Sequence, residues 1–338
     1  MEILEYGFMQ RALLASLMVG LVAPAVGIFL VQRRLSLLGD GLGHVALTGV
    51  AIGVLTSTAP VGAALVAAVL GAVLIELIRA RGRTSGDVAL AVLFYGGIAG
   101  GVVLLSLAPR GQATNLEAHL FGAITTTGTG DLAVFAVIAV TVLLVVGLLG
   151  QRLYAVSDDE EYARAVGLPV LALNVVLAAL VAATVVLSMR VVGLLLISAL
   201  MILPSAIAQL LARSFRQALY MACAIGLVVS VSGTTASYYT GTPSGGTIVL
   251  LAIALFLVVS ATAALRDATA RRRHRRRGEV HAAHPHEHGD GCGHRPVSLE
   301  DHVDYDHDGH LHAAHLTGSG VHYEHGTPAP TAPKGGAA

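Results

Sequence analysis

The chain has 338 residues, of which 55% are hydrophobic and 12% charged, and its mean hydropathy is +0.74. This balance excludes an ordinary soluble globular domain and indicates a polytopic helical membrane protein, an all-α bundle. The formal net charge is zero, and we expect no nucleic-acid partner. The two cysteines, Cys223 and Cys292, form neither a disulfide framework nor a CxxC metal pair.

Nine apolar runs predict membrane-spanning helices, because most are close to the ~20 residues that cross a bilayer. In chain order they are 10–31, 42–56, 61–78, 88–107, 132–149, 170–187, 191–212, 218–237 and 247–265. The second run is short and ends near Pro60. A re-entrant second segment, which would leave eight spans, therefore remains the alternative.

Arginines predict the orientation of the bundle, since positively charged residues favour the cytoplasmic side. They cluster at alternate ends of the nine runs, at Arg33/Arg34, Arg79/Arg81/Arg83, Arg152/Arg164, Arg213/Arg216 and Arg271–Arg277. Nine spans place the C-terminus in the cytoplasm and the N-terminus outside. Eight spans would move the N-terminus inside.

One carboxylate and one imidazole lie at the beginning of the second apolar run, in the segment SLLGDGLGHVALTG (36–49). Asp40 and His44 are four residues apart, so a helix places them on one face. A carboxylate oxygen and an imidazole nitrogen together suit Mn, Fe or Zn. An ionisable group inside a membrane is a functional candidate. The alternative is structural, with Asp40 as a helix N-cap and His44 as a satisfied buried histidine.

The most polar internal segment, 157–169, predicts a short amphipathic helix outside the bilayer. Ser157 followed by acidic residues is typical of a helix start, and Gly167 with Pro169 is typical of a stop. In the third span, Glu76 lies near the arginine-rich end, and we expect it to pair with Arg79 or Arg81.

The composition changes near residue 270, which divides a membrane domain (1–270) from an Arg- then His-rich tail (271–338). The tail lacks apolar periodicity and is predicted to be disordered. Imidazoles at this density bind Zn, Ni or Cu weakly. The candidate tail ligands are His281, His284, His286, His288, His294, His302, His307, His310, His312 and His315.

The sequence lacks the motifs of two enzyme classes, P-loop ATPases and zinc proteases. The chain has a single lysine, Lys334, so it contains no GxxxxGK[ST] phosphate-binding loop, and ATP hydrolysis would require a separate subunit. It also contains no HExxH or HxxEH pair for a zinc protease.

Five segments together resemble the membrane permease of ABC-type zinc/manganese/iron importers, the ZnuB-like family. Besides 36–49, they are NLEAHLFG (115–122), EYARAVGLP (161–169), VGLLLISALMILP (192–204) and ASYYTGTPSGGTI (236–248). They occur in the family's order and cover most of residues 8–266. The histidine-rich tail lies outside the resemblance.

The resemblance implies a non-enzymatic subunit in a bacterial cell membrane that works with other proteins. These are cytoplasmic ABC ATPases, an extracellular or periplasmic metal-binding protein, and a second permease copy. It also implies that Asp40 and His44 belong to the metal path. It makes the 158–168 helix the ATPase-coupling element, with Glu161, Ala163 and Gly167 as its candidate residues. Glu117 and His119 are candidates for docking the metal-binding protein.

The expected function is therefore import of a divalent metal, with zinc favoured over manganese or iron because of the tail. No permanently bound cofactor is expected. The alternative is a stand-alone secondary transporter of the same metals. Such a protein would need coupling acids deep in several spans, whereas Asp40 is nearly alone here.

Overall fold

The computed structural model describes residues 5–81, 86–107, 128–189, 193, 197–281, 295–298, 303–307, 310–317 and 320–328. These residues divide into two compact units, Met1–Ala263 and Ala264–Ala338. The boundary predicted at residue 270 falls inside the last helix of the chain.

The described part of the chain contains ten helices and four strands. The helices are α1 (Gly7–Gln32), α2 (Leu38–Leu55), α3 (Pro60–Ala80), α4 (Gly86–Ser106), α5 (Thr129–Asp158), α6 (Glu160–Ala165), α7 (Val170–Met189), α8 (Ile197–Leu211), α9 (Phe215–Thr240) and α10 (Ser244–His281). The prediction of an all-helical membrane bundle is confirmed.

Eight of these helices, all except α6 and α8, are long and apolar enough to cross a membrane. The second predicted span forms α2, with 18 residues. The shortest apolar helix is instead α8, which has 15 residues and begins at Ile197, although the apolar run predicts a span from 191. Most of residues 191–196 lie outside the described part of the chain.

Helix α1 lies at the centre of the bundle, with 72% of its most apolar segment buried, against 17% for α10. Small residues allow α1 to approach α9 closely. A Cβ atom on Gly20 would lie 2.7 Å from the Gly226 carbonyl oxygen. The hydroxyls of Ser16 and Thr234 are hydrogen-bonded at 2.6 Å, so polar side chains also join these two helices inside the membrane domain.

The helix ends can be assigned to two sides of the bundle from their contacts. Gln32 at the end of α1 is hydrogen-bonded to Asp158 at the end of α5 and to Gln209 near the end of α8. At the other end of α1, the rings of Tyr6 and Phe8 lie within 6.5 Å of Tyr238 near the end of α9. We call the side that contains Gln32 the arginine side, because Arg33 and Arg79 lie there too.

In the second unit, four strands form an antiparallel sheet in the order β1 (Arg295–Ser298), β2 (Val303–His307), β3 (His310–Thr317) and β4 (Gly320–Pro328). The sequence analysis predicts no regular structure there. The difference has a local cause, because Val303 and Tyr305, and likewise Val321 and Tyr323, alternate with polar residues at the two-residue period of a strand. The register places His312 opposite His325 and His315 opposite His322.

Candidate functional site

Asp40 and His44 both lie on α2, Asp40 in its first turn and His44 one turn further. Both residues are half-buried. The Nδ1 atom of His44 is buried and has no hydrogen-bond partner. The His44 ring meets the ring of Phe94 on α4 edge-on, with the two centroids 4.6 Å apart.

These contacts disagree with the structural explanation of the pair. The N-cap of α2 is Leu37, so Asp40 is not the capping residue. His44 is not a satisfied buried histidine either, because its Nδ1 lacks a partner. A buried polar atom without a hydrogen bond costs free energy, and such an atom requires an explanation.

Helix α4 packs directly against the backbone of His44. A Cβ atom on Gly97 would lie 2.7 Å from the carbonyl carbon of His44 and 2.7 Å from the nitrogen of Val45. The hydroxyl of Thr48 donates to the carbonyl oxygen of Gly97 at 2.8 Å. The close approach of α4 therefore positions His44.

Helix α8 covers the start of α2. A Cβ atom on Gly39 would lie 2.8 Å from the hydroxyl oxygen of Ser198, which is buried and has no hydrogen-bond partner. Among the described residues, no group of three or more His, Cys, Asp or Glu side chains could hold a metal ion. Within the described part of one chain, Asp40 and His44 are thus two neighbouring potential ligands and do not form a complete metal site.

The amphipathic segment forms α6, in which Asp159 is the N-cap and accepts a hydrogen bond from the Tyr162 amide at 2.9 Å. The predicted start at Ser157 is wrong, because Ser157 is still part of α5. The predicted stop is confirmed, since Gly167 adopts a left-handed φ of 81° that favours glycine. Of the other candidate coupling residues, Glu161 is exposed and Ala163 is fully buried.

An ionic network joins α6 to the membrane helices on the arginine side. Arg33 donates to Glu160 at 3.2 Å and to the Asn174 side chain at 2.9 Å. Burial lowers the pKa of Arg33 from its usual value, and the nearby charges of Glu76 and Glu160 act in the opposite direction. In α3, Glu76 pairs with Arg79 at 2.7 Å, as predicted.

The sequence analysis used Arg33 only as a marker of orientation and did not consider Asn174. A lone asparagine near the start of the apolar run 170–187 was the signal available. Glu117 and His119 lie outside the described residues. So do His284, His286, His288, His294 and His302, whereas His281 ends α10 and His307, His310, His312 and His315 lie in strands.

The fold is that of a helical membrane protein, and a carboxylate and an imidazole lie one turn apart on one of its helices. The profile of the ABC 3 transport family matches residues 5–263. The manganese transport system membrane protein MntC of Listeria innocua is 32% identical over 259 residues, which are 76% of this chain and 91% of that protein. The manganese import system permease protein ScaB of Streptococcus gordonii is 32% identical over 75% of this chain and 91% of that protein.

A solved structure, PsaBC from Streptococcus pneumoniae in complex with Fab, is similar with a TM-score of 0.69 and 31% identity. The match covers 76% of this chain and 92% of that one. This chain therefore belongs to the ABC 3 transport family and is a permease subunit of an ABC-type metal transporter. The family assignment decides against the stand-alone secondary transporter.

Proposed function

We propose that this chain forms the translocation path of an ATP-driven importer of divalent transition metals, with Asp40 and His44 as ligands along that path. The observation that carries the proposal is the buried, unpartnered Nδ1 of His44, one helical turn from a carboxylate. A passing cation would interact with both groups. Two ligands hold an ion loosely, and a transported ion must also be released.

We propose further that two copies of the permease assemble around the path. The described residues of one chain supply only two adjacent ligands, and a twofold axis beside α2 would bring a second Asp40 and His44 to the same ion. These two carboxylates and two imidazoles would supply oxygen and nitrogen ligands of the types that suit Mn, Fe and Zn.

The energy would come from ABC ATPase subunits bound to the arginine side of the bundle. Positively charged residues favour the cytoplasm, so this side would face inward and α10 would lead the tail into the cytoplasm. Helix α6 is the element proposed to dock the ATPase, because Tyr162 and Val166 are 62% and 54% exposed. An extracellular or periplasmic protein would deliver the metal, with Glu117 and His119 proposed as docking residues.

Manganese is the cargo that the comparisons favour, since both named relatives are manganese systems. Zinc, which the sequence analysis prefers, is favoured only by the tail. Paired histidines support zinc binding there, because the sheet register sets His312 opposite His325 and His315 opposite His322. We propose that the tail binds zinc, nickel or copper weakly and that the path carries manganese first.

The test is uptake of manganese and of zinc by cells that lack the native gene and express variants of this chain. Asp40→Asn and His44→Gln keep the size of each side chain and should abolish uptake, while the permease still co-purifies with its ATPase. Cys223→Ser, a change at a half-buried residue of α9, is the matched control. Undiminished uptake in both site variants would contradict the assignment, and the preferred ion in wild-type cells decides between the metals.

A further inference from the structure

The guanidinium group of Arg33 lies where α1, α6 and α7 meet. Arg33 follows the last residue of α1, and its side chain is only 7% exposed. One end nitrogen of its guanidinium donates to Asn174 on α7, and the other donates to Glu160 on α6. A buried charge is tolerated only where partners surround it, so these contacts hold the three elements in a defined arrangement.

Helix α6 is attached to the end of α1 by neighbouring polar contacts. Asp158, just before α6, accepts a hydrogen bond from Gln32 at 2.7 Å, and Glu160 accepts one from Arg33. The second carboxylate oxygen of Glu160 accepts from Arg164, whose side chain is 68% exposed. Among the described residues, the contact with Arg33 is the one that joins the Glu160 carboxylate to the membrane helices.

The connection from Arg33 to the metal-ligating helix is short and hydrogen-bonded. The amide of Leu35 donates to the Leu30 carbonyl at 2.9 Å, and the amide of Leu38 donates to the Leu35 carbonyl at 3.0 Å. Leu38 and Gly39 are buried at the start of α2, directly before Asp40. Six residues, 34–39, connect Arg33 to Asp40, and these two hydrogen bonds restrict the conformation of that connection.

There is also room for α6 to move. A cleft of about 790 Å³ lies beside the network, lined among others by Glu76, Arg79, Glu160, Arg164, Leu168 and Asn174. Glu160 and Arg164 of α6 therefore border open space, while Ala163 of the same helix is packed in the core.

We infer that Arg33 is the positioning residue that transmits a movement of α6 to helix α2 and so to Asp40 and His44. The inference rests on the proposed function, in which an ATPase moves α6. Arg33 is too buried to be a docking contact of the ATPase itself. Its removal should therefore leave the complex assembled but separate ATP hydrolysis from transport.

The experiment uses the full permease–ATPase complex in proteoliposomes and measures two rates, manganese transport and ATP hydrolysis. Arg33→Gln and Glu160→Gln should each lower the manganese transported per ATP by about fivefold or more, the lower end of typical coupling between sites. The double variant Arg33→Glu with Glu160→Arg should recover part of that ratio. Cys223→Ser on α9, which is not part of this network, is the control, and its ratio should stay unchanged.

An unchanged ratio in Arg33→Gln would overturn the inference. Loss of ATPase binding in that variant would also overturn it, because Arg33 would then hold α6 in place for docking and would not transmit its movement. If Arg33→Gln fails to accumulate in the membrane, the manganese transported per ATP is measured in Glu160→Gln and in the double variant Arg33→Glu with Glu160→Arg, and these two ratios decide. A wild-type complex that transports no metal in response to ATP would instead refute the proposed function.

Discussion

Replacing Gly97 with alanine tests how closely α4 must approach the metal-ligating helix. The new Cβ atom would lie 2.7 Å from two backbone atoms of α2, whereas carbon atoms pack at about 3.5–4.0 Å. Because helix backbones cannot yield locally, α4 must move away by about 0.8–1.3 Å. The hydrogen bond from Thr48 to the Gly97 carbonyl, now 2.8 Å, would lengthen to roughly 3.6 Å or more and be lost.

The energetic cost can be estimated from the same contacts. Overpacking costs about 1–3 kcal/mol, and an interhelical hydrogen bond in a membrane contributes about 0.6 kcal/mol. The better helix propensity of alanine offsets up to about 1 kcal/mol. With the full offset, we expect a net loss of about 0.6–2.6 kcal/mol, and the displaced contacts are those of α4 with His44.

Gly96 provides the matched control for this experiment. It is the preceding residue of α4, it is exposed, and a Cβ atom there would meet nothing within 4 Å. Gly96→Ala should leave the melting temperature and manganese uptake unchanged or slightly raised. Gly97→Ala should lower the melting temperature of the purified permease and reduce uptake by about tenfold or more, since displacements near 1 Å are costly at functional sites. Equal uptake by the two variants would refute this account of the packing around His44.

Three further predictions concern the metal ligands, the coupling helix and the tail. Asp40→Ala or His44→Ala should abolish uptake without loss of ATPase co-purification, as pull-down and uptake assays would show. Ala163→Leu and Tyr162→Ala should both weaken ATPase binding in a pull-down, but only the former should lower the melting temperature of the isolated permease, because Ala163 is buried and Tyr162 is exposed. Truncation after Arg277 should preserve basal uptake and remove several weak zinc equivalents in a titration. Zinc binding by the full chain should weaken between about pH 7.5 and 5.5, because protonated imidazole cannot ligate.

The amino-acid sequence alone predicts that this is a membrane protein and that it folds as a helical bundle. It also predicts that Asp40 and His44 lie on one face of a helix. Hydropathy and the four-residue spacing are local properties, and a bilayer forces an apolar segment to satisfy its backbone hydrogen bonds within a helix. Glycine at 167 predicts the end of α6 for the same reason, because its left-handed φ is a local preference.

The start of a helix was predicted less well where several consecutive polar residues could each serve as its N-cap. Ser157, Asp158 and Asp159 can all cap a helix, and α5 extends through the first two before Asp159 becomes the cap of α6. Packing of α5 against the bundle decides this competition, since Ser157 is buried there.

Only the tertiary structure decided which residues meet across the bundle. Arg33 contacts Glu160 and Asn174, which are 127 and 141 positions away in the chain, and no local pattern connects them. Likewise, Gly96 and Gly97 are adjacent glycines that the sequence does not distinguish, yet of the two Gly97 alone contacts α2. Side-chain burial and long-range hydrogen bonds depend on how helices pack, and this packing gives His44 and Arg33 the environments on which the proposals rest.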